Sequence, residues 1–216
     1  MAQEHYFDDE TWEQMPDFLG QIPEPVRIHI WGDENMSSTE REAVRLSRLF
    51  SQKFPDKISY KLFPRRVNYN FYPVIGIMGL AGDEPIDYGV RIIGLPLGYQ
   101  MTSLIAALQV VSFRGQTLEP KTRIRLKGLK TAVNIQIFTD ADNETGAVVA
   151  KHAFGMAVAN EHVRSFLIMA DLFPEATIRY TMNYVPYTVI NDRIHLEGVL
   201  EEEELLKQIG LAVKKS

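Results

Sequence analysis

A chain of 216 residues with 45% hydrophobic and 24% charged residues has the balance of a packed globular protein and is too apolar to stay disordered. Its formal net charge of −5 argues against a nucleic-acid partner, which needs clustered Lys and Arg to neutralise phosphates. With no cysteine anywhere the chain can form no thiolate, so dithiol–disulfide exchange is excluded outright.

The N-terminus, MAQEHYFDDETWEQ, is acidic and lacks the basic and apolar regions of a secretion signal. No segment approaches the roughly 20 apolar residues that span a bilayer. Residues 1–20 therefore read as an N-terminal extension of a cytoplasmic protein without a membrane partner. VRIHIW, residues 26–31, is the first strand, and an acidic loop follows it. A helix is expected over 39–54, with Ser37 as N-cap and Glu40 three residues on. Ala43, Leu46, Phe50 and Phe54 give it one core-facing stripe, and Pro55 ends it. ISYKLF, FYPVIGIM and YGVRIIG are further strands. Between the last two, Gly79, Gly82 and Pro85 mark 79–87 as a surface loop. A helix containing MTSLIAAL closes this half at Phe113-Arg114-Gly115, and Pro120 opens a linking helix. The basic stretch RIRLKGLK, 123–130, reads as the solvated face of that linker.

The second half runs in the same order. AVNIQIFT, 132–139, leads through an acidic loop into a helix that reaches about Asn160, with Asp142 as its expected N-cap and Val149, Ala153, Phe154 and Ala157 as its buried face. Gly155 inside that helix costs about 1 kcal/mol relative to alanine, so a close neighbour should require it. VRSFLIM, YVPYTVI and RIHLEG are strands, the last two joined by the two-residue turn Asn191-Asp192. Each half thus reads β-α-β then β-β-α, at roughly a hundred residues per unit. The expected modules are 21–116 and 117–216.

A capped helix after the first strand, a Tyr-Pro or Val-Pro step opening the third, and GLPLGY followed by MTSLIAAL between the halves resemble the tandem-thioredoxin protein disulfide oxidoreductases (glutaredoxin-like proteins). They are equally similar to the N-terminal domain of the flavoprotein subunit of alkyl hydroperoxide reductase. The resemblance covers about residues 20 to 213. It implies an α/β fold of two tandem thioredoxin-like modules, each a three-layer α/β/α unit, on a continuous mixed sheet. In that family a Cys-x-x-Cys pair opens the second module's first helix, and the first module carries a second pair or a remnant. Here those positions hold Asp142, Asn143, Glu144 and Thr145 in the second module and Ser37, Ser38, Thr39 and Glu40 in the first. The fold carries over; the oxidoreductase activity does not. The proline before the third strand, usually cis in such modules, is matched by Pro73 and Pro186. The resemblance makes Tyr72 and Val185 the residues whose backbone meets an extended substrate peptide. The alternative is that these prolines only shape a tight turn.

Other chemistry is weakly supported. Asp140-Ala141-Asp142-Asn143-Glu144 alternates acids as a calcium loop does, but Gly146 comes one position late and Lys151 stands where a bidentate carboxylate is required. His5, His29, His152, His162 and His195 are scattered and read as structural, with His29 and His195 as satisfied, partly buried residues on strands. No phosphate loop or dinucleotide fingerprint is present, so no metal or cofactor is expected. The leading expectation is a redox-inactive protein that binds polypeptides as an adaptor, structural or chaperone-like subunit. Its rivals are an accessory subunit that docks a cysteine-bearing redox partner, and an enzyme that has recruited Asp142, Glu144 or Ser37 at a helix N-terminus. An aromatic supply of 9 Tyr, 11 Phe and 2 Trp favours a homodimer.

Overall fold

The computed structural model describes residues 9–214. Strand β1 (Val26–Trp31) lies between β2 (Ile58–Phe63), parallel to it, and β3 (Val74–Ala81), antiparallel to it, and β3 pairs on with β4 (Glu84–Ile93). The second half repeats the arrangement with β5 (Val133–Thr139) between parallel β6 (Val163–Met169) and antiparallel β7 (Tyr187–Ile190), followed by β8 (Ile194–Glu197). The halves join where β4 runs parallel to β6, Val90 opposite Ser165 through Ile93 opposite Ile168. One mixed eight-stranded sheet results, in the order β2-β1-β3-β4-β6-β5-β7-β8. This is the expected pair of thioredoxin-like modules on a continuous sheet.

Strand alternation decides which side chains enter which layer. Val26, Ile28 and Ile30 of β1 face a core shared with α2 (Ser38–Lys53), α3 (Gln100–Ser112), α5 (Gly146–Ala159) and α7 (Glu202–Lys214). Trp31 faces the opposite layer. The stripes expected on the two long helices are buried: Ala43, Leu46, Phe50 and Phe54 on α2, and Val149, Ala153, Phe154 and Ala157 on α5. Gly155 has the neighbour its position demanded, because a Cβ there would come within 2.7 Å of Leu118 in the linker. The linking helix is α4 (Pro120–Lys127), which buries Thr122 and Leu126 and leaves most of its basic face to solvent. No helix among the described residues is long and apolar enough to cross a membrane.

Four local expectations are corrected. The N-terminal stretch contains a helix, α1 (Asp9–Leu19), which buries Met15 and Leu19 in the first core; this i,i+4 pair is a short stripe. His5 lies outside the described residues. Residues 79–87 form no loop: β3 and β4 pair as far as Ala81 opposite Glu84. Gly82 at φ +62° makes that tight turn, and Pro85 is tolerated because this part of β4 pairs on one side only. The Asn191-Asp192 turn does form as expected, with φ of 53° and 54°. On α5 the capping side chain is Asn143, not Asp142, its Oδ1 accepting from Gly146 N–H at 2.7 Å. Finally, a short helix, α6 (Pro174–Tyr180), stands between β6 and β7. Residues 64–73, its counterpart in the first half, contain no helix.

Candidate functional site

At each of the two helix starts singled out by the resemblance, one side chain makes several hydrogen bonds: Glu40 on α2 and Asn143 before α5. On α2, Ser37 caps as expected, its Oγ accepting from Glu40 N–H at 3.2 Å. Glu40 itself is buried, 1% exposed. Its carboxylate accepts from Asp33 N–H at 2.6 Å, from Ser37 Oγ at 2.8 Å and from the Arg65 guanidinium. Burial alone would raise its pKa; the Arg65 hydrogen bond, then Asp33 N–H and Ser37, outweigh burial and hold it below the usual carboxylate value. Arg65 also lies 4.9 Å from the centre of the Tyr72 ring. The residue before Pro73 is thereby tied to the helix start. Ser38 is exposed, and Thr39 bonds Ser37 through their hydroxyls at 3.0 Å.

On α5 the solution carries no charge. Asn143 caps Gly146 through Oδ1 and donates from Nδ2 to the carbonyl of Val185 at 2.9 Å. Val185 is the residue before Pro186, so a carbonyl expected to meet a peptide already has a partner. Asp142, Glu144 and Thr145 are exposed. Gln100, fully buried at the start of α3, donates to the carbonyls of Asp140 and Asn143 and receives a hydrogen bond from Ser103 Oγ at 2.8 Å. Tyr99 N–H donates to Ala141 O at 2.9 Å. Gly98, at φ +55°, lets the two backbones touch, since a Cβ there would collide with Ala141 O. The GLPLGYQ stretch of the first module therefore supports the second module's loop. Tyr72–Pro73 and Val185–Pro186 are both cis, and each proline carbonyl accepts from a glycine N–H, Gly94 at 2.8 Å and Gly198 at 2.9 Å.

The opposite face of the sheet differs between modules. In the first, His29, Trp31, Phe63 and Tyr69 form a ring cluster, with His29 and Phe63 centroids 4.7 Å apart. Arg91 and Arg66 lie over Trp31 at 4.9 and 5.0 Å, and Arg91 also pairs with Asp87. His29 is buried, yet its Nε2 has no hydrogen-bond partner among the described residues. This corrects the expectation of a satisfied histidine. Burial, followed by Arg27 and Arg91, lowers its pKa to about 4. His195 contacts Tyr187 OH through Nδ1 at 3.2 Å, and His152 Nδ1 lies 3.3 Å from Leu200 O. No cluster of three or more His, Asp or Glu suited to a metal occurs among the described residues. In the second module α6 covers this face. Between α6 and residues 68–71 the centre of the sheet is left as a cleft of about 410 Å³.

Sequence reasoning had placed Ser37 and Glu40 together, as a cap. It missed Arg65, which is 25 residues away and has no local signal. It missed Gln100 as well, although a lone amide opening an apolar helix was visible. The cleft depends on a helix present in one module and absent from the other, which no motif announces.

No protein-family model matches the chain. Over 123 residues it is 26% identical to the alkyl hydroperoxide reductase protein AhpF of Pseudomonas aeruginosa, a stretch covering 57% of this chain and 24% of that protein. A protein called NADH dehydrogenase from Ferdinandcohnia aciditolerans is 25% identical over 124 residues, again 57% of this chain and 24% of that one. The matched chain thus spans about a quarter of the length of these curated relatives. Among solved structures, AhpF of Enterococcus faecalis superposes with TM-score 0.85 at 19% identity, covering 94% of this chain and 99% of that one. A protein disulfide oxidoreductase from Aeropyrum pernix superposes with TM-score 0.83 at 21% identity, covering 98% and 96%. The fold is that of the thioredoxin-like disulfide oxidoreductases and the AhpF N-terminal domain, carried by a chain without cysteine.

Proposed function

We propose that this chain is a redox-inactive, thioredoxin-like polypeptide-binding protein, built of the modules 21–116 and 117–216 and acting in the cytoplasm. The observation that carries the reading is the state of the two helix starts. In place of thiols they hold Glu40 with Arg65 and Asn143 with Val185 O, contacts that fix the scaffold and offer no nucleophile. The chemistry has gone while the architecture that presents strands and loops to other chains remains. Support for binding comes from exposed apolar side chains carried by segments bordering the second helix start: Tyr99, Val148, Leu172 and Tyr184. Carboxymethylated lactalbumin, an unfolded chain without free thiols, tests it. Saturable binding by fluorescence anisotropy is the expected result, and no binding at any protein concentration would overturn the reading.

A second reading is favoured by the match to AhpF: an accessory part that docks a cysteine-bearing partner in a peroxide-reducing system. It predicts binding to a folded peroxidase and none to unfolded lactalbumin. Recruitment of Asp142 or Glu144 as a catalytic group has less behind it, because both side chains stand exposed and catalytic carboxyls sit in concave, water-poor sites.

A further inference from the structure

We infer that the cleft between the modules binds an extended peptide segment with an aromatic or large apolar side chain at its centre. This deepens the polypeptide-binding reading and rests on it, but it moves the site away from Pro73 and Pro186. The cleft floor is apolar: Ile93 of β4, Phe166 and Ile168 of β6, and Phe138 of β5. Phe166 is only partly buried, in the middle of an eight-stranded sheet, where a strand ordinarily has both faces covered. The missing cover is a helix in the first module; its place is taken by residues 64–73.

Four of the polar side chains around that floor are carboxamides. Asn134 and Gln136 lie on β5, on the face that Phe138 shares, and Asn68 and Asn70 on the segment that borders the cleft; Gln136 Nε2 also lies 3.5 Å from Asp192 Oδ1. A carboxamide offers donors and an acceptor without charge, the same complement as a peptide group. Asn134 and Gln136 are two residues apart on β5, so they share a face at a spacing of about 6.7 Å. An extended peptide repeats at the same interval. Asn68 and Asn70 have the same i,i+2 separation across the cleft. The charged lining residues are two of each sign, Arg164 and Arg179 with Glu175 and Asp192, and Asp192 already accepts from Tyr180 OH at 2.7 Å. No net charge selects an ionic ligand. Phe71 and Phe173, stacked at 4.6 Å, join residues 64–73 to the start of α6, and the volume of about 410 Å³ accommodates one large side chain with its flanking backbone.

The probe is acetyl-Gly-Gly-Phe-Gly-Gly-amide, with the corresponding Ala peptide as control, titrated to millimolar concentration into the isotope-labelled full chain and read by backbone amide shifts. Saturable shifts at Gln136, Phe166 and Ala176 are expected, with the Ala peptide binding about tenfold more weakly or worse. Asn134→Trp fills the cleft from an exposed position and should abolish those shifts; an unchanged affinity in that variant would overturn the inference. Shifts confined to 72–74 and 184–187 would overturn the cleft while leaving polypeptide binding intact. A chain that binds carboxymethylated lactalbumin but shows no peptide-induced shift would likewise sink the cleft alone.

Discussion

The two modules occupy the same fold and stabilise it with different chemistry. In the first, charge sits at the points the fold needs to hold: Glu40 against Arg65 at the helix start, Asp87 against Arg91 on the sheet, and His29 buried among rings and cations. In the second, neutral amides do the corresponding work. Asn143 spans from the helix start to Val185 O, Asn160 Nδ2 closes onto Leu126 O at 2.7 Å, and Asn191 Oδ1 takes Asn134 N–H at 2.8 Å. The same helix start is held by an ion pair in one module and by an amide in the other. The choice decides how the helix start responds to pH, because a carboxylate titrates and a carboxamide does not.

Acid should therefore weaken the first module, and His29 should dominate. Its folded pKa of about 4 lies below the ordinary 6.5, so the unfolded chain binds more protons between those values. Stability falls as pH drops through this window, by on the order of 3 kcal/mol in full. Denaturant titrations from pH 7 to 4 should show that slope, and His29→Leu should flatten it; an unchanged slope in the variant would place the acid sensitivity elsewhere. Glu40 adds a second loss below its ordinary value of 4.5, since a carboxyl held low stabilises the fold above that pH and ceases to as it protonates. In the second module Asp171 is pushed up by burial, with Asp140 adding to it, which acts in the opposite direction.

Truncation of the helix starts should follow the same division. Glu40→Ala keeps the Ser37 cap on the backbone N–H but leaves Asp33 N–H and the Ser37 hydroxyl without their carboxylate acceptor and Arg65 without its partner, at a cost of about 2–3 kcal/mol. Arg65 is 38% exposed at its side chain, so water takes up part of its charge and the cost stays below that of a fully enclosed pair. The smallest effect is expected from Asn143→Ala, about 1–2 kcal/mol for a lost cap and one lost bond to Val185 O. Equal destabilisation by the two variants, read from urea midpoints at pH 7, would remove the distinction between them.

Much of this fold was legible because its signals are local. The stripes on α2 and α5, Pro120 at a helix start, and the Asn191-Asp192 turn each act within a few residues. GLPLGY and the two prolines supplied the family resemblance, and with it the eight-stranded sheet. What stayed hidden depends on contacts distant in sequence. Arg65 reaches Glu40 across 25 residues, and Asn143 reaches Val185 across 42. Acidic residues at a helix start suggested Asp142 as the cap, but the loop brings Asn143 Oδ1 to Gly146 instead. The breakers Gly79 and Pro85 suggested a loop because nothing local shows that Gly82 alone makes the turn. Of the aromatic residues, Trp31, Phe63, Tyr69, Phe71, Phe138 and Phe166 fill or line the second face of the sheet, whereas Phe18, Tyr99, Phe113 and Tyr184 are exposed.

Returning cysteines to each module tests the account most directly, with thiol titration and urea midpoint measured on both variants. Asp142→Cys with Thr145→Cys replaces exposed side chains and leaves Asn143 in place. The pair should oxidise to an intramolecular disulfide, its first thiol titrating below the free value of about 8.5, with the reduced protein near parental stability. Ser37→Cys with Glu40→Cys removes a cap and a buried carboxylate, and should lose at least the roughly 2–3 kcal/mol expected of Glu40→Ala. If the second-module pair fails to oxidise, or the first-module pair is tolerated equally well, then the scaffold has not been preserved in one module and rebuilt around an ion pair in the other.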